Sequence, residues 1–501
     1  MLDGLLLGAE QLFAVQPLLW LVIGSVLGVW LGGVPGLGPI IIMALAVPFT
    51  FAMDPLSSLL LLASLHAGGA YGGAISSILL NVPGEASSAA TAFDGYPMAQ
   101  QGHAETALGL SLGSSLVGHI VGLAFLVSLS PFIVSFALEF GPPEYFCLAL
   151  LGLSVVAFAA QGSTRKGLIM GCFGICIGFI GIDTVRGSPR YTMGSLYLQD
   201  GLPWVAIIIG FFAIAEIVKL SYATGTISTS GRLGGSVWRG IAMTFQYPKT
   251  LITSTLLGVG IGGMPGVGAT TANFLAYATA IRISKTPERF GKGAPEGVIA
   301  PEAANNSCVA AALIPTLTLG IPAGAGTAVL LTAVIIQGIQ PGPSLFQNQP
   351  ALIYAFFLGI LLSAAIFFVL MSFMVRFIAR ITIVRSEILV PVLLIVSFVG
   401  TYALNSSMGT VIVAAVFGII GYVLREKNFP VVCFIVGLVL GPMAETSFHQ
   451  SMSMSGNNYL MFFSRPICIV LLLASAVMIG WQPLSSLARR LCRRGAEPVR
   501  G

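Results

Sequence analysis

GVGIGGMPGVGATTAN, residues Gly258 to Asn273, decides how this chain folds. It lies between apolar runs, where a continuous helix is expected, yet it carries six glycines and a proline. The polar residues Thr270, Thr271 and Asn273 follow directly. A near copy, GVWLGGVPGLGPIIIM, occupies Gly28 to Met43. Aligning residues 24–39 with 254–269 gives identity at eight of sixteen positions, among them Gly28/Gly258, Gly32/Gly262, Pro35/Pro265, Gly36/Gly266 and Gly38/Gly268. A weaker pair follows, AISSILLNVPG at Ala74 to Gly84 and LIPTLTLGIPA at Leu313 to Ala323. The offset grows from 230 to 239 residues between the two matches, near the basic loop Arg282 to Lys292. The chain is an internal duplication with two Gly-Pro breaks in each half.

The 501 residues are 56% apolar and only 8% charged, against about 25% charged in soluble domains. Long apolar runs such as Cys147 to Ala160, Val205 to Val218, Ala351 to Val375, Ile388 to Tyr402 and Ile467 to Ile479 reach or approach the ~20 residues that cross a bilayer. The expected fold is an all-α polytopic membrane protein with about 10–12 transmembrane helices, with broken or re-entrant helices in two inverted repeats. Unalternating runs exclude a β-barrel. The net charge of +5 is no nucleic-acid footprint, because the cations sit in short clusters between apolar runs. Such clusters, and the tail with Arg489, Arg490, Arg493, Arg494 and Arg500, mark the cytoplasmic side. Residues 1–164 hold no Lys or Arg, so a cleaved signal peptide is not expected. Seven scattered cysteines, including Cys172 and Cys176 one helical turn apart, lack further ligands nearby and read as packing residues.

The expected organisation is a first transmembrane repeat at 1–220, a polar cytoplasmic linker at 221–249, and a second repeat at 250–501 with the basic tail. The loop after the first motif holds Asp54 and no cation, while its counterpart holds four cations. Opposite sides for equivalent loops mean inverted topology, a common transporter plan. Each motif is either a re-entrant hairpin with its Pro-Gly, PGVG in the second motif, at the tip or one helix broken at mid-membrane.

Proline removes a backbone donor and glycine permits left-handed backbone, so each break frees N–H and C=O groups at membrane depth. Such groups must be buried in protein or line a wet cavity. A helix restarting after the break offers its N-terminal N–H groups to an anion, and the preceding end offers carbonyls to a cation. Paired breaks in two halves point to a transport site. The candidate substrate-binding residues are Pro35, Gly36, Gly38, Asn81, Pro83, Gly84, Pro265, Gly266, Gly268, Thr270, Thr271, Asn273 and Pro322. Asn305, Asn306, Thr316 and Thr318 are the candidate cation ligands. Gly24, Gly28 and Gly32 read instead as a small-residue packing face. Glu85 and Glu302 lie beside the presumed sites, where a proton or cation role competes with a solvated loop position. His119 reads as a cavity or packing histidine before a proton relay, and Glu216 and Lys219 as snorkelling residues. Glu445, His449 and Arg465 read as loop residues. No metalloprotease or phosphate-loop motif is present and no nucleophile–base constellation stands out, so the chain is not expected to be an enzyme.

The ordered series GGVPGLGP, GGAISSILLNVPG, AFDGYPMAQQG, FGKGAPEGVIAPEAANNS, LIPTLTLGIP and IQPGPSLF resembles the large membrane subunit of the tripartite tricarboxylate transporters, from about residue 20 to 465. That resemblance implies a multi-pass permease of the bacterial inner membrane, importing citrate-like di- or tricarboxylates by secondary active transport. It implies a small membrane subunit and a periplasmic solute-binding protein as partners, Na⁺ or H⁺ as the coupling ion, and no other cofactor. The departures are Glu85 after NVPG, Ala323 in place of glycine in GIPG, and Gln100, Gln101 and His103 where the family carries Lys or Arg. A carboxylate at Glu85 repels an anion, so a same-fold transporter of a different or neutral substrate is the alternative. A non-transport membrane sensor is a further one.

Overall fold

The computed structural model describes residues 2–159, 164–183, 185, 187–222, 234–381 and 386–479. Among these, seven helices are long and apolar enough to cross a membrane, including Val15–Gly32, Pro55–Leu80, Ala104–Ala137 and Pro350–Phe373. Shorter apolar helices such as Pro39–Thr50 and Ala325–Ile336 accompany them. Described strands amount to the pair Gly181–Ile182 and Pro189–Arg190. The protein is an all-α polytopic membrane protein.

The chain forms two compact units, Met1–Leu138 with Pro203–Val423, and Glu139–Leu202 with Leu424–Gly501. In the first unit, the first half of the chain contributes α1 (Val15–Gly32), α2 (Pro39–Thr50), α3 (Pro55–Leu80), α4 (Ala89–Gln100) and α5 (Ala104–Ala137). The second half contributes α6 (Pro248–Gly262), α7 (Gly268–Ile283), α8 (Glu296–Ala311), α9 (Leu313–Leu319), α10 (Ala325–Ile336) and α11 (Pro350–Ile381).

The duplication is visible in the backbone. Neither α1 nor α6 continues through its proline. Gly36 and its counterpart Gly266 turn the chain at φ +78° and +80°, a region that costs an L side chain strain. The second breaks match as well, because α3 ends at Asn81 and α9 at Gly320, both left-handed at φ 56° and 71°. Asparagine is among the few residues that accept this conformation.

Close approaches of small residues set the register and show which way each arm runs. A Cβ added at Gly28 would lie 2.7 Å from the Leu65 carbonyl oxygen, and one at Gly32 would lie 2.6 Å from Gly69. In the second half Gly258 meets Ala304, and a Cβ at Gly262 would lie 2.5 Å from the Cys308 carbonyl oxygen. Each α8 residue sits 239 positions after its α3 counterpart. Glycines at these seams let the backbones touch, as in membrane helix pairs generally. So α1 runs alongside α3 in the same direction, and α6 alongside α8.

The return arms run the other way. Pro39 at the start of α2 touches Gly69, and a short connection ties the end of α2 to the start of α3. At the end of α7 the Ser284 hydroxyl donates to the Glu296 carboxylate at 2.8 Å, at the start of α8. Ala272, Ala276 and Ala280 of α7 pack on Ala300, Ala304 and Cys308 of α8. Each motif is therefore a helical hairpin with Pro-Gly at its tip, which settles the choice between a hairpin and a broken helix. We refer to them as hairpins I and II.

Of the segment read as a linker, residues 223–233 lie outside the described residues. Val237–Thr244 is a helix pressed on α5, where Gly240 faces Gly109 and the Thr244 hydroxyl reaches the Leu110 carbonyl. The tail, residues 480–501, also lies outside the described residues.

The second unit corrects the loop reading of Glu445 and His449. Both lie within the helix Val431–Met454. Arg190, beside the short strand pair, grips the Glu445 carboxylate with both terminal nitrogens, at 2.5 and 3.0 Å. Arg465 lies 3.0 Å from Glu144, which is buried. Each pair satisfies a carboxylate that the apolar setting would otherwise penalise.

Candidate functional site

In each half, the hairpin tip is joined to the later break. The first break leaves α3 at Asn81 and reaches α4 through residues 82–88. Gly84 has no room for a side chain, since the Gly32 carbonyl oxygen and Gly73 Cα both lie 2.7 Å from where its Cβ would stand. A Cβ at Gly38 would meet Glu85 Cβ at 3.0 Å. Pro35, Gly36, Gly38, Pro83 and Gly84 thus belong to one knot of backbone. In the second half the Gly266 N–H donates to the Ala323 carbonyl at 2.7 Å, which ties Pro265 and Gly266 to the break holding Pro322.

The halves meet where the first break rests on α7 and α8. The fully buried Asn273 of α7 donates its amide to the Ser87 carbonyl at 2.6 Å. The Ser87 hydroxyl donates to the Glu85 carboxylate. On α8, Asn305 lies close enough to that carboxylate to interact with it. Three residues earlier, Glu302 accepts from the hydroxyls of Thr91 at 2.5 Å and of Ser111 and Ser115 at 3.1 Å each. The Asn306 amide donates to the Glu302 carbonyl at 3.2 Å. Gly118 and Gly122 bring α5 directly onto Ala303 and Ser307 of α8, which puts the serines within reach.

This seam holds an unusual number of unsatisfied atoms. Asn273 Oδ1, Asn306 Oδ1, Ser88 Oγ and both amide atoms of Asn305 are buried without a hydrogen bond of normal geometry. Each such atom costs about 1–3 kcal/mol if nothing meets it. A native protein that leaves several in one place has reason to bind something there.

The remaining candidates are placed differently. Asn81 is exposed at the end of α3. Thr271 donates to the Val267 carbonyl at 3.2 Å, and Thr270 is partly buried beside it. Gly268, at φ +75°, opens α7 with free space around it. Thr316 and Thr318 donate to the Ala312 and Ile314 carbonyls of their own helix, at 2.7 and 2.6 Å. The structure brings together Gly38, Gly84, Asn273 and Asn305, with Asn306 on the next position of α8. It joins neither Thr316 nor Thr318 to them through a hydrogen bond. His119 is buried with its ring edge-on to Phe367, at 6.1 Å between centroids.

A sequence profile of the tripartite tricarboxylate transporter TctA family matches residues 18–436. The chain belongs to that family. A 52.8 kDa protein from the TAR-I ttuC' 3' region of Agrobacterium vitis is 35% identical over 473 residues, covering 94% of each chain. A second protein, from the TAR-II ttuC' 3' region of Agrobacterium vitis, is 34% identical over 212 residues, covering 42% of this chain and 88% of its own. No solved structure matches significantly. The TctA-family protein described here is thus a membrane component of a tricarboxylate transporter.

Sequence reasoning missed two features of this TctA-family chain. Thr91, Ser111 and Ser115 form the hydroxyl cage of Glu302; the four-residue spacing of the serines, which puts both on one helix face, was the available signal. Asp94, fully buried in α4, accepts from the Gly293 and Ala294 N–H groups at 2.9 and 2.8 Å and from the Tyr277 hydroxyl at 2.8 Å. It clasps the base of hairpin II to the first half.

Proposed function

We propose that this chain is the permease of a cation-coupled importer of di- or tricarboxylates in a bacterial inner membrane. It receives substrate from a periplasmic solute-binding protein and works beside a small membrane subunit. The observation that carries the reading is the seam at Glu85–Ser88, Asn273 and Asn305, where buried polar atoms of both halves converge unsatisfied. The Asn305 amide and the Ser88 hydroxyl are donors for a carboxylate, and the hairpin tips place helix N-termini in each half. The orphan oxygens of Asn273, Asn305 and Asn306 suit a hard cation. Family membership supports the substrate class.

Energetics favour coupling. One charge moved against 100 mV costs about 2.3 kcal/mol, so a trianion entering a negative interior costs roughly 7 kcal/mol. A binding protein recycled unchanged supplies capture but no net driving force. Co-transported cations supply both the drive and the positive charge that the seam lacks. The test is uptake of labelled citrate, with and without a Na⁺ or proton gradient, in vesicles holding all three subunits. Gradient-dependent accumulation is expected; absence of uptake for every carboxylate tried defeats the reading. Glu85 favours a second reading, transport of a neutral or differently charged substrate, which the same assay with uncharged competitors resolves.

A further inference from the structure

A pair of carboxylates at the seam remains unassigned. Glu302 is 0% exposed and Glu85 partly buried, and both are held by one short segment: Ser87 donates to Glu85, and Thr91, four residues on, donates to Glu302. Their partners are neutral: the Ser87 hydroxyl and the Asn305 side chain for Glu85, and the hydroxyls of Thr91, Ser111 and Ser115 for Glu302. Among the described residues neither carboxylate has a Lys or Arg partner. Hydroxyls satisfy lone pairs but bring no charge, so two like charges in a desolvated place repel without compensation.

A separate observation points to what compensates them. Asn305 is 0% exposed and one helical turn beyond Glu302; its side chain interacts with the Glu85 carboxylate, and its amide oxygen has no hydrogen-bond partner. An orphan amide oxygen beside carboxylates belongs to the donor set of a hard cation. The other titratable groups near the pair are Tyr71 of α3, Cys308 of α8 and, one turn beyond Ser115 on α5, His119. None of these is a fixed positive charge.

We propose that Glu85, Glu302 and Asn305 hold the coupling monovalent cation, a sodium ion or a proton, at the seam between the repeats. This rests on the coupled-uptake reading above and gives it a location. Loaded, the site draws the first break onto α8 and removes the repulsion that an arriving carboxylate would meet. Empty, the same charges push the break and α8 apart. The three hydroxyls around Glu302 serve either ion, since a hydroxyl donates to an ionised carboxylate and accepts from a protonated one.

The test needs no substrate. The thermal midpoint of the purified permease is measured in NaCl against choline chloride at fixed pH, and across pH without sodium, because a ligand of the folded state raises it. A rise with NaCl assigns sodium, and a rise on acidification alone assigns a proton. Either rise is expected to vanish in Glu302→Gln, which keeps the shape and removes the charge. Asn305→Ala and Ser115→Ala are expected to raise the half-saturating concentration about tenfold, the equivalent of one lost hydrogen bond, and they carry the test if Glu302→Gln does not fold. A wild type indifferent to both ions overturns the proposal, as does a Glu302→Gln protein, or both milder variants, responding like wild type. A permease that binds the cation yet accumulates no carboxylate overturns the uptake reading and leaves this site standing.

Discussion

Hairpins I and II share a sequence motif, a left-handed glycine and a register against the following helix, yet their tips meet different surroundings. At tip I Val34 is 3% and Leu37 0% exposed, whereas Met264, the counterpart of Val34, is 51% exposed. Past the tip, α2 continues through Ile40, Ile41 and Met43, while α7 continues through Thr270, Thr271 and Asn273. The breaks show the reverse: Asn81 is exposed in the first half and its counterpart Gly320 buried in the second. Duplication supplied the same backbone turn twice, and the side chains give the two copies different surroundings. Hairpin I packs its tip into the core and against the first break. Hairpin II carries the polar residue, Asn273, that meets that break.

The largest effect is expected where hairpin II is anchored. Asp94→Ala removes a carboxylate that accepts three hydrogen bonds and should destabilise the first unit by about 3 kcal/mol or more, since bonds to charged groups contribute about 1.5–3 kcal/mol each. A thermal midpoint equal to wild type would mean that the base of hairpin II is held by something else. Next comes the direct contrast of tips. Leu37→Ala should cost about 2–5 kcal/mol as a cavity in a packed core, and Val267→Ala, at the equivalent but partly exposed position, less than about 1 kcal/mol. Equal losses in denaturant titrations would erase the distinction between a packed tip and an open one.

A smaller, functional effect is expected at Asn273. Asn273→Ala should leave the protein folded and weaken uptake about tenfold, the value of roughly 1.4 kcal/mol. Met43→Ala, its positional counterpart, should instead lower stability. The smallest effect is expected for Thr318→Val. Its hydroxyl is spent on the Ile314 carbonyl, so folding and uptake should change by less than about 0.5 kcal/mol. A marked loss of cation dependence would return Thr318 to the site.

The breaks and the repeat were legible because glycine and proline constrain the backbone wherever they stand. Whether each motif doubles back was not, since that depends on which α3 or α8 residue each glycine touches. Asn273 and Asn305 stood out as amides in apolar runs. The cage around Glu302 did not, because Thr91 and Ser111 lie 211 and 191 residues away in sequence. Thr316 and Thr318 read as ligands by residue type, but a helix offers its own carbonyl four residues back, and both hydroxyls took that offer.

The link from Gly266 to Ala323 has a practical consequence. Donor and acceptor are both main chain, so truncating a side chain at the tip does not remove this latch, and Gly266→Ala would disturb it only through the strain of a left-handed backbone. Only a change to the peptide itself, such as proline or an ester at position 266, would unfasten the tip and reveal how far it travels.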